Sequence, residues 1–172
     1  MYNVMIQFLV GILTLLVLFQ VKHFLADYPF QTEYMLGKFK AHGWFKPLVA
    51  HALVHGLGTF IIASYFGAAH PIVLALFDAV IHFTMDRVKA SPALLGRWKA
   101  LSGAEYMDVK TDIETTSYIY EGKAIDLRYS PTYRRAQDRL RGNKLFWWAL
   151  GFDQMVHHLT HYAVIFLMVV GF

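Results

Sequence analysis

The stretch FDAVIHFTMDRVK, residues 77–89, places Asp78, His82 and Asp86 four residues apart within an otherwise apolar segment. Four residues are slightly more than one α-helical turn, so the three side chains are expected on one face of a helix. Burying carboxylates and imidazoles among apolar residues costs free energy unless each group finds a partner. The spacing therefore predicts a helix that presents a functional face to the protein interior.

The composition around this stretch is typical of a membrane protein. Of the 172 residues, 56% are hydrophobic and only 16% are charged, whereas charged residues make up about 25% of a soluble domain. Long apolar segments predict four transmembrane helices, at about residues 4–28, 47–66, 71–88 and 145–172. The first lacks the basic start of a signal peptide, so we expect it to be retained. The chain has no cysteine, which excludes disulfides and thiolate metal sites.

The predicted fold is therefore all-α and integral to the membrane. We expect a bundle of four transmembrane helices forming a single domain over residues 1–172, with a cytoplasmic loop insertion at residues 90–144 between the third and fourth helices. All sixteen Lys and Arg residues fall in two stretches, 22–46 and 87–144. Four successive spans put both stretches on one side, which the positive-inside rule makes cytoplasmic. The expected location is the bacterial inner membrane, multi-pass, with both termini outside.

The second basic stretch is the main polar region of the chain. Residues 106–130 alternate polar with β-branched or aromatic residues, which favours a small β-hairpin. The segment SPTYRRAQDRLRGNK, residues 130–144, reads as a short cationic helix. Residues 128–144 are expected to contact anionic lipid. Seven acidic residues within 90–144 argue against nucleic acid, and the sequence identifies no protein partner.

Each predicted helix carries ionisable side chains four residues apart. The candidate metal ligands are His23, Asp27, His51, His55, Asp78, His82, Asp86, Asp153, His157 and His161. The predicted topology places all of them in the cytoplasmic half of the membrane. Hydrogen bonding between helices explains a lone histidine in a membrane. Ten such groups at matching spacing and depth favour a metal site instead, because ionisable residues in a bilayer usually mark function.

Imidazole and carboxylate ligands without sulfur suit a divalent transition metal, zinc first, with iron and manganese as alternatives. Ten candidates exceed what one ion needs, so either some of them support the ligands of one ion without binding it or the site holds two ions, and a dinuclear centre is favoured. Asp78, Asp86 and Asp153 are the catalytic candidates, as metal ligands, as bridges, or with one acting as a general base. Candidates for substrate binding are Lys22, Arg87, Lys89, Gln31 and Gln154. Interfacial anchoring or helix packing explains these five equally well.

Four stretches together resemble a bacterial and phage integral-membrane family of unknown function. They are KHFLADYPFQT (22–32), AHALVHG (50–56), DAVIHFTMDRVK (78–89) and FWWALGFDQMVHHLTHY (146–162). Tyr28 stands where that family usually has Phe. The resemblance covers the helical segments and implies a membrane location, but no activity. The LTH motif at 159–161 is similar to one in membrane-bound metal-dependent hydrolases, which is an analogy of fold alone.

The leading functional hypothesis is a metal-dependent hydrolase that cleaves a lipid-linked or phosphoester bond at the cytoplasmic leaflet. A di-iron oxidase acting on acyl chains is a related hypothesis. Outside catalysis, the alternatives are a metal-ion or proton transporter and a membrane effector that docks a protein through residues 90–144 around a structural metal. The apolar outer halves of the first and fourth helices argue against a transport path.

Overall fold

A computed structural model describes residues 2–40, 42–91, 107–114, 131, 133–135 and 144–172. Its named elements are α1 (Tyr2–Asp27), α2 (Glu33–Leu36), a 3-10 helix (Gly37–Phe39), α3 (Phe45–Tyr65), α4 (Pro71–Ala90) and α5 (Lys144–Val169). All regular structure within the described residues is helical, as predicted. The four long helices coincide with the four apolar segments, and their ends differ from the predicted ends by a few residues.

Local sequence accounts for the tight connection between α3 and α4. Gly67 adopts a φ of +72°, a left-handed conformation that side chains with a Cβ rarely adopt. This bend lets the Ala68 N–H donate to the Ala63 carbonyl at 2.9 Å, which satisfies one of the free carbonyls at the end of α3. Pro71 then starts α4 in the first turn, where its missing N–H costs nothing.

Two of the helices in the described part of the chain, α1 and α3, are long and apolar enough to cross a membrane. The outward surface of α1 is strongly apolar, with exposed side chains at Val4, Phe8, Leu9, Leu13 and Val17. The other two long helices are more polar, because α4 contains Asp78 and Asp86 and α5 contains three histidines. Two helices therefore support membrane association, and four membrane spans stay a prediction.

Residue contacts divide the chain into two compact units, Met1–Leu94 with Asp153–Phe172, and Leu95–Phe152. All ten candidate metal ligands belong to the first unit. The division does not test the single domain predicted over residues 1–172.

The second unit corrects one expectation from the sequence. Residues 107–114 are helical, so the predicted β-hairpin is wrong there. Lys110 and Glu114 approach to 3.7 Å across one helical turn, a pairing that favours helix over strand. Residues 131 and 133–135 are helical, as expected for the cationic helix, and the remainder of both predicted segments lies outside the described residues.

Within the first unit, side chains of the four long helices form two layers. The apolar layer consists of Leu15, Phe19, Ala63, Leu74, Val164 and Ile165. The polar layer contains the candidate metal ligands. Since α1 and α4 run from the apolar layer to the polar one, and α3 and α5 run the other way, consecutive long helices are antiparallel. The backbone contact between His70 N–H and the Phe172 carbonyl, 3.0 Å, joins the ends beyond the apolar layer.

Candidate metal centre

The polar layer brings together every ionisable side chain predicted for the metal site. Each long helix supplies residues one turn apart, so their side chains project from one face toward the other helices. Nine of the ten are buried: His23, His51, His55, Asp78, His82, Asp86, Asp153, His157 and His161. Asp27 is half-buried. The structure therefore places all ten in the interior of the first unit, but it gives their carboxylates different surroundings.

The Asp27 carboxylate lies among imidazoles. Its Oδ1 is 3.1 Å from Nε2 of His55 and 3.3 Å from Nε2 of His51, and its Oδ2 is 3.1 Å from Nε2 of His23. Nε2 of His82 is 3.9 Å from Oδ1 of Asp27 and 3.2 Å from Nε2 of His51. Asp27, His51, His55 and His82 are close enough together to hold a metal ion.

The spacing of these four donor atoms suits tetrahedral coordination. Ligand atoms about 2.0–2.1 Å from a zinc ion lie about 3.3–3.4 Å from one another in a tetrahedron. The three distances from Asp27 Oδ1 to the Nε2 atoms of His51, His55 and His82 run from 3.1 to 3.9 Å, and Nε2 of His51 is 3.2 Å from Nε2 of His82. Imidazole and carboxylate donors are the ligand types that zinc, iron and manganese accept. Small side-chain adjustments would therefore complete a four-coordinate site.

A second group that could hold an ion consists of His82, Asp86 and His157. Oδ2 of Asp86 lies 3.3 Å from Nε2 of His51 and 3.7 Å from Nε2 of His82. The rings of His82 and His157 are stacked, with centroids 4.1 Å apart. The two groups share His82 and are in contact, so they belong to one centre.

The other three carboxylates are each paired with a lysine. Lys22 Nζ is 2.6 Å from Asp78, Lys38 Nζ is 2.5 Å from Asp86, and Lys89 Nζ is 2.6 Å from Asp153. Lys89 also lies 3.3 Å from Asp86. No lysine of the described residues lies within 4.0 Å of Asp27. Four carboxylates and three ammonium groups thus leave one negative charge in excess, at Asp27.

The pair between Lys22 and Asp78 is part of a closed polar network. Lys22 Nζ donates to Asp78 Oδ2, to Thr59 Oγ1 at 3.2 Å and to His161 Nε2 at 3.2 Å, while Thr59 donates to Asp78 at 2.7 Å. Because an ammonium group only donates, Nε2 of His161 accepts and the proton of the neutral ring is on Nδ1. Asp78 and His161 are absent from both groups that could hold an ion. Whether Asp78 or Asp153 ligates a metal stays a prediction.

Sequence reasoning missed two residues of the centre. Lys38 sits in the 3-10 helix between α1 and α3 and is buried, and nothing in its sequence context separates it from Lys40 or Lys46. Burial lowers the pKa of the Lys38 ammonium, and the nearby Asp86 carboxylate opposes that shift. Thr59 was detectable, since it extends the His51 and His55 spacing by one further helical turn.

The remaining candidates for substrate binding have varied surroundings. Gln154 lies between Nε2 of His23, 3.2 Å from its Oε1, and Oδ2 of Asp153. Arg87 stacks on the ring of Trp44 at 3.6 Å from the ring centroid, and its buried Nη1 has no hydrogen-bond partner among the described residues. Gln31 is half-buried in the turn after α1.

The centre is open to its surroundings at one end. The Asp27 side chain is 19% exposed and that of Lys89 is 27% exposed, whereas Asp78, Asp86 and Asp153 are each 2% exposed. Asp27 ends α1, and Lys89 lies in the last turn of α4. The most accessible members of the centre thus lie at the end of the first unit where α1 and α4 end.

Several buried donors and acceptors of the centre lack partners within the described part of the chain. His157 has no hydrogen bond at either ring nitrogen, and Oδ1 of Asp153 has none. The same holds for Nδ1 of His23, His51, His55, His82 and His161. A buried polar atom without a partner costs about 1–3 kcal/mol and is rare in folded proteins. The ring nitrogens of His157 are therefore available to bind a ligand.

Comparison with known proteins gives a family but no activity. Residues 15–121 match the model of a family described as "Protein of unknown function (DUF3307)". The match begins within α1 and includes α3 and α4. No curated protein matches the chain. No solved structure matches it either.

Proposed function

Because the chain belongs to the DUF3307 family of proteins of unknown function, its activity must be inferred from its own residues, and we propose that it is a membrane-embedded metal-dependent hydrolase. The proposed site holds at least one ion, bound by donors from the group Asp27, His51, His55 and His82. Its substrate is a lipid-linked or phosphoester bond at the cytoplasmic face of a bacterial inner membrane. Zinc is the first choice of metal, with iron and manganese as alternatives.

The membrane part of the proposal has three supports. α1 and α3 are long and apolar enough to span a bilayer. Large apolar side chains are exposed along α1, α3, α4 and α5, far more than the surface of a soluble monomer carries. The aspartates of α4 and α5, together with His82, His157 and His161, instead lie in the interior, where membrane helices place ionisable residues. We therefore assign four spans, with residues 22–46 and 87–144 cytoplasmic and both termini outside.

The observation that carries the metal proposal is the environment of Asp27. It holds the excess negative charge of a buried centre, and imidazoles rather than ammonium groups surround it. A buried charge needs a compensating charge nearby. A divalent ion supplies it, and the spacing of the Asp27, His51, His55 and His82 donor atoms accommodates one.

Hydrolysis is the chemistry that best fits this site. A zinc ion lowers the pKa of a coordinated water to about 7 and thereby supplies a nucleophile at neutral pH. The residues of the chain would hold the ion and admit the substrate at the end where Asp27 and Lys89 are exposed. Lys89 would attract an anionic headgroup there. Gln154, hydrogen-bonded to His23, would help to orient the imidazole beside Asp27.

The apolar layer argues against the transporter alternative. In the described residues, the half of each long helix beyond the polar layer packs around Phe19, Leu74 and Val164, which are fully buried. An ion or proton crossing the first unit would need polar groups through that layer. The centre is exposed beside Asp27 and Lys89, which suits a substrate that enters and leaves on the same side.

The test combines metal content with activity. Protein purified in detergent without chelator would be analysed by inductively coupled plasma mass spectrometry as wild type, His55→Ala and His158→Ala. His158 is the matched control, since it is a half-buried histidine of α5 outside both groups that could hold an ion. We expect at least one equivalent of metal in the wild type and the control, and a loss of most of it in His55→Ala.

Activity would be followed with bis(p-nitrophenyl) phosphate, p-nitrophenyl phosphate and a p-nitrophenyl carboxylic ester. Metal-dependent release of p-nitrophenolate, abolished by His55→Ala and retained in His158→Ala, would support the hydrolase. If the protein binds metal but hydrolyses none of the three reporters, the metal would be structural, as in the alternative of a membrane effector without enzymatic activity. Absence of metal from the wild type would overturn the site, leaving a hydrogen-bonded network around Asp27.

A further inference from the structure

His82 belongs to both groups that could hold an ion, and this sharing limits how the donors are used. Its Nε2 is the atom that approaches both Asp27 and Asp86, at 3.9 and 3.7 Å. One imidazole nitrogen donates its lone pair to one metal ion. If His82 binds the same ion as Asp27, His51 and His55, then Asp86 and His157 have no third ligand in the described part of the chain. If His82 instead binds an ion with Asp86 and His157, each of two ions has three protein ligands.

We propose that the centre is dinuclear, with one ion held by Asp27, His51 and His55 and a second held by His82, Asp86 and His157. This inference rests on the proposed function, because it assumes that the Asp27 site binds metal. Each set contains two imidazoles and one carboxylate. Three protein ligands leave a coordination position for water or substrate, as in catalytic zinc sites.

The strongest support for the second ion comes from His157. Its side chain is 2% exposed, and neither ring nitrogen has a hydrogen-bond partner among the described residues. Its Nδ1 is 3.7 Å from Oδ1 of Asp153, beyond hydrogen-bond distance, and a buried imidazole without a hydrogen bond is costly. Its ring is stacked on that of His82, and it lies within the same group as Asp86. An ion between the three residues would satisfy one nitrogen of His157.

The contact between the two sets fits the separation of paired catalytic metals. Nε2 of His51, from the first set, is 3.2 Å from Nε2 of His82 and 3.3 Å from Oδ2 of Asp86, both from the second. Paired catalytic metals lie about 3.5–4 Å apart, so donors of the two sets would be neighbours. Oδ2 of Asp86 lies near donors of both sets, while its Oδ1 is 3.3 Å from the Lys89 ammonium.

The Lys38 ammonium group lies where the second ion would bind Asp86. It is 2.5 Å from Oδ2 of Asp86, so the second ion must displace that contact. Lys38 is buried, but its ammonium group is carried by a long side chain on a short 3-10 helix, Gly37–Phe39, so a change of side-chain rotamer would remove it from Asp86. The same ammonium group could then face a substrate anion beside the ions.

Of the two substrate classes in the proposed function, two ions would favour phosphoesters. A pair of metals stabilises both the attacking and the leaving oxygen of an in-line displacement at phosphorus. During that displacement the new P–O bond forms to water while the P–O bond to the alcohol breaks, and the alcohol oxygen takes a proton. A carboxylic ester does not need the second ion.

The number of ions can be counted by titrating metal-free full-length protein in detergent with Mn2+. Wild type, His157→Ala and His158→Ala would be followed by isothermal titration calorimetry and by electron paramagnetic resonance. We expect two equivalents and an exchange-coupled spectrum in the wild type and His158→Ala. His157→Ala should retain one equivalent with the spectrum of an isolated ion.

One uncoupled equivalent in the wild type would overturn the dinuclear centre while leaving the proposed function intact. Absence of binding would overturn both. Two coupled equivalents in folded His157→Ala would overturn the assignment of His157. The number of bound Mn2+ ions and the resonance spectrum of the wild type test the dinuclear centre without any variant. The proposal can therefore fail even if His157→Ala does not fold.

Discussion

At the scale of single residues, four aspartates that look alike in the sequence acquire different roles from their neighbours. Asp78, Asp86 and Asp153 each lie within 2.6 Å of a lysine ammonium, which neutralises them in the interior. Asp27 faces imidazoles and is the most exposed of the four. Three of the four aspartates are thus paired with a lysine, Asp86 among them although it also belongs to a group that could hold an ion, and Asp27 has no lysine partner among the described residues.

The burial of the Lys22–Asp78 ion pair predicts that a single variant will be less stable than the double variant. Lys22→Met should lower the free energy of unfolding by about 3–5 kcal/mol, because it leaves the Asp78 carboxylate buried without its counter-charge. Lys22→Met/Asp78→Leu should recover most of that loss, since neither charge remains. Unfolding of both variants in detergent, followed by circular dichroism, measures the difference. A double variant no more stable than the single one would show that the network with Thr59 and His161, rather than the charge, carries the stability.

At the scale of elements, α3 and α4 pack closely where small residues face each other. A Cβ added to Gly56 would lie 3.0 Å from the carbonyl oxygen of Ala75 and 3.1 Å from Cβ of Ala79. Such contacts between small residues let helix backbones approach in a membrane protein. This approach brings His51 and His55 of α3 against His82 of α4, so helix packing sets the dimensions of the centre.

Gly56→Ala should therefore destabilise the protein by about 1–3 kcal/mol, the usual cost of overpacking. Gly11→Ala is the matched control, because a Cβ on Gly11 meets no atom within 4 Å and alanine favours the helix. The melting temperatures of the two variants in one detergent give the comparison. Equal melting temperatures would mean that α3 and α4 separate at little cost.

At the scale of the whole molecule, the basic residues predict one orientation in the membrane. The chain has no cysteine, so single cysteines can be introduced without background. Lys40→Cys and Ala69→Cys occupy exposed positions, the first between α1 and α3 and the second in the turn before α4. They should lie on opposite sides of the membrane if both α1 and α3 span it.

In intact spheroplasts, a membrane-impermeant maleimide should label Ala69→Cys, and it should label Lys40→Cys only after permeabilisation. Wild-type protein serves as the blank. The reverse pattern would invert the assigned orientation. Labelling of both positions in intact cells would rule out a span at α3.

Local sequence was enough to predict most of the fold. The four long helices, their approximate ends and the inward-facing ionisable residues follow from apolar runs and from the four-residue spacing, both of which concern neighbours along the chain. The hairpin predicted within residues 106–130 is wrong over the described residues 107–114, because it lies in a polar segment where alternation was a weak signal. Family membership agrees with the motifs in α1, α3 and α4.

Only the tertiary structure decided how the ionisable groups divide. The partners of Asp78 and Asp86 are lysines 56 and 48 residues away in the sequence, and the local spacing gives no information about such pairs. The sharing of His82 and the unpartnered ring of His157 also arise from contacts between helices. The sequence by itself determined that polar residues gather at one level of the first unit, whereas three-dimensional packing decided which carboxylates are paired with lysines and that, within the described part of the chain, Asp27 is not.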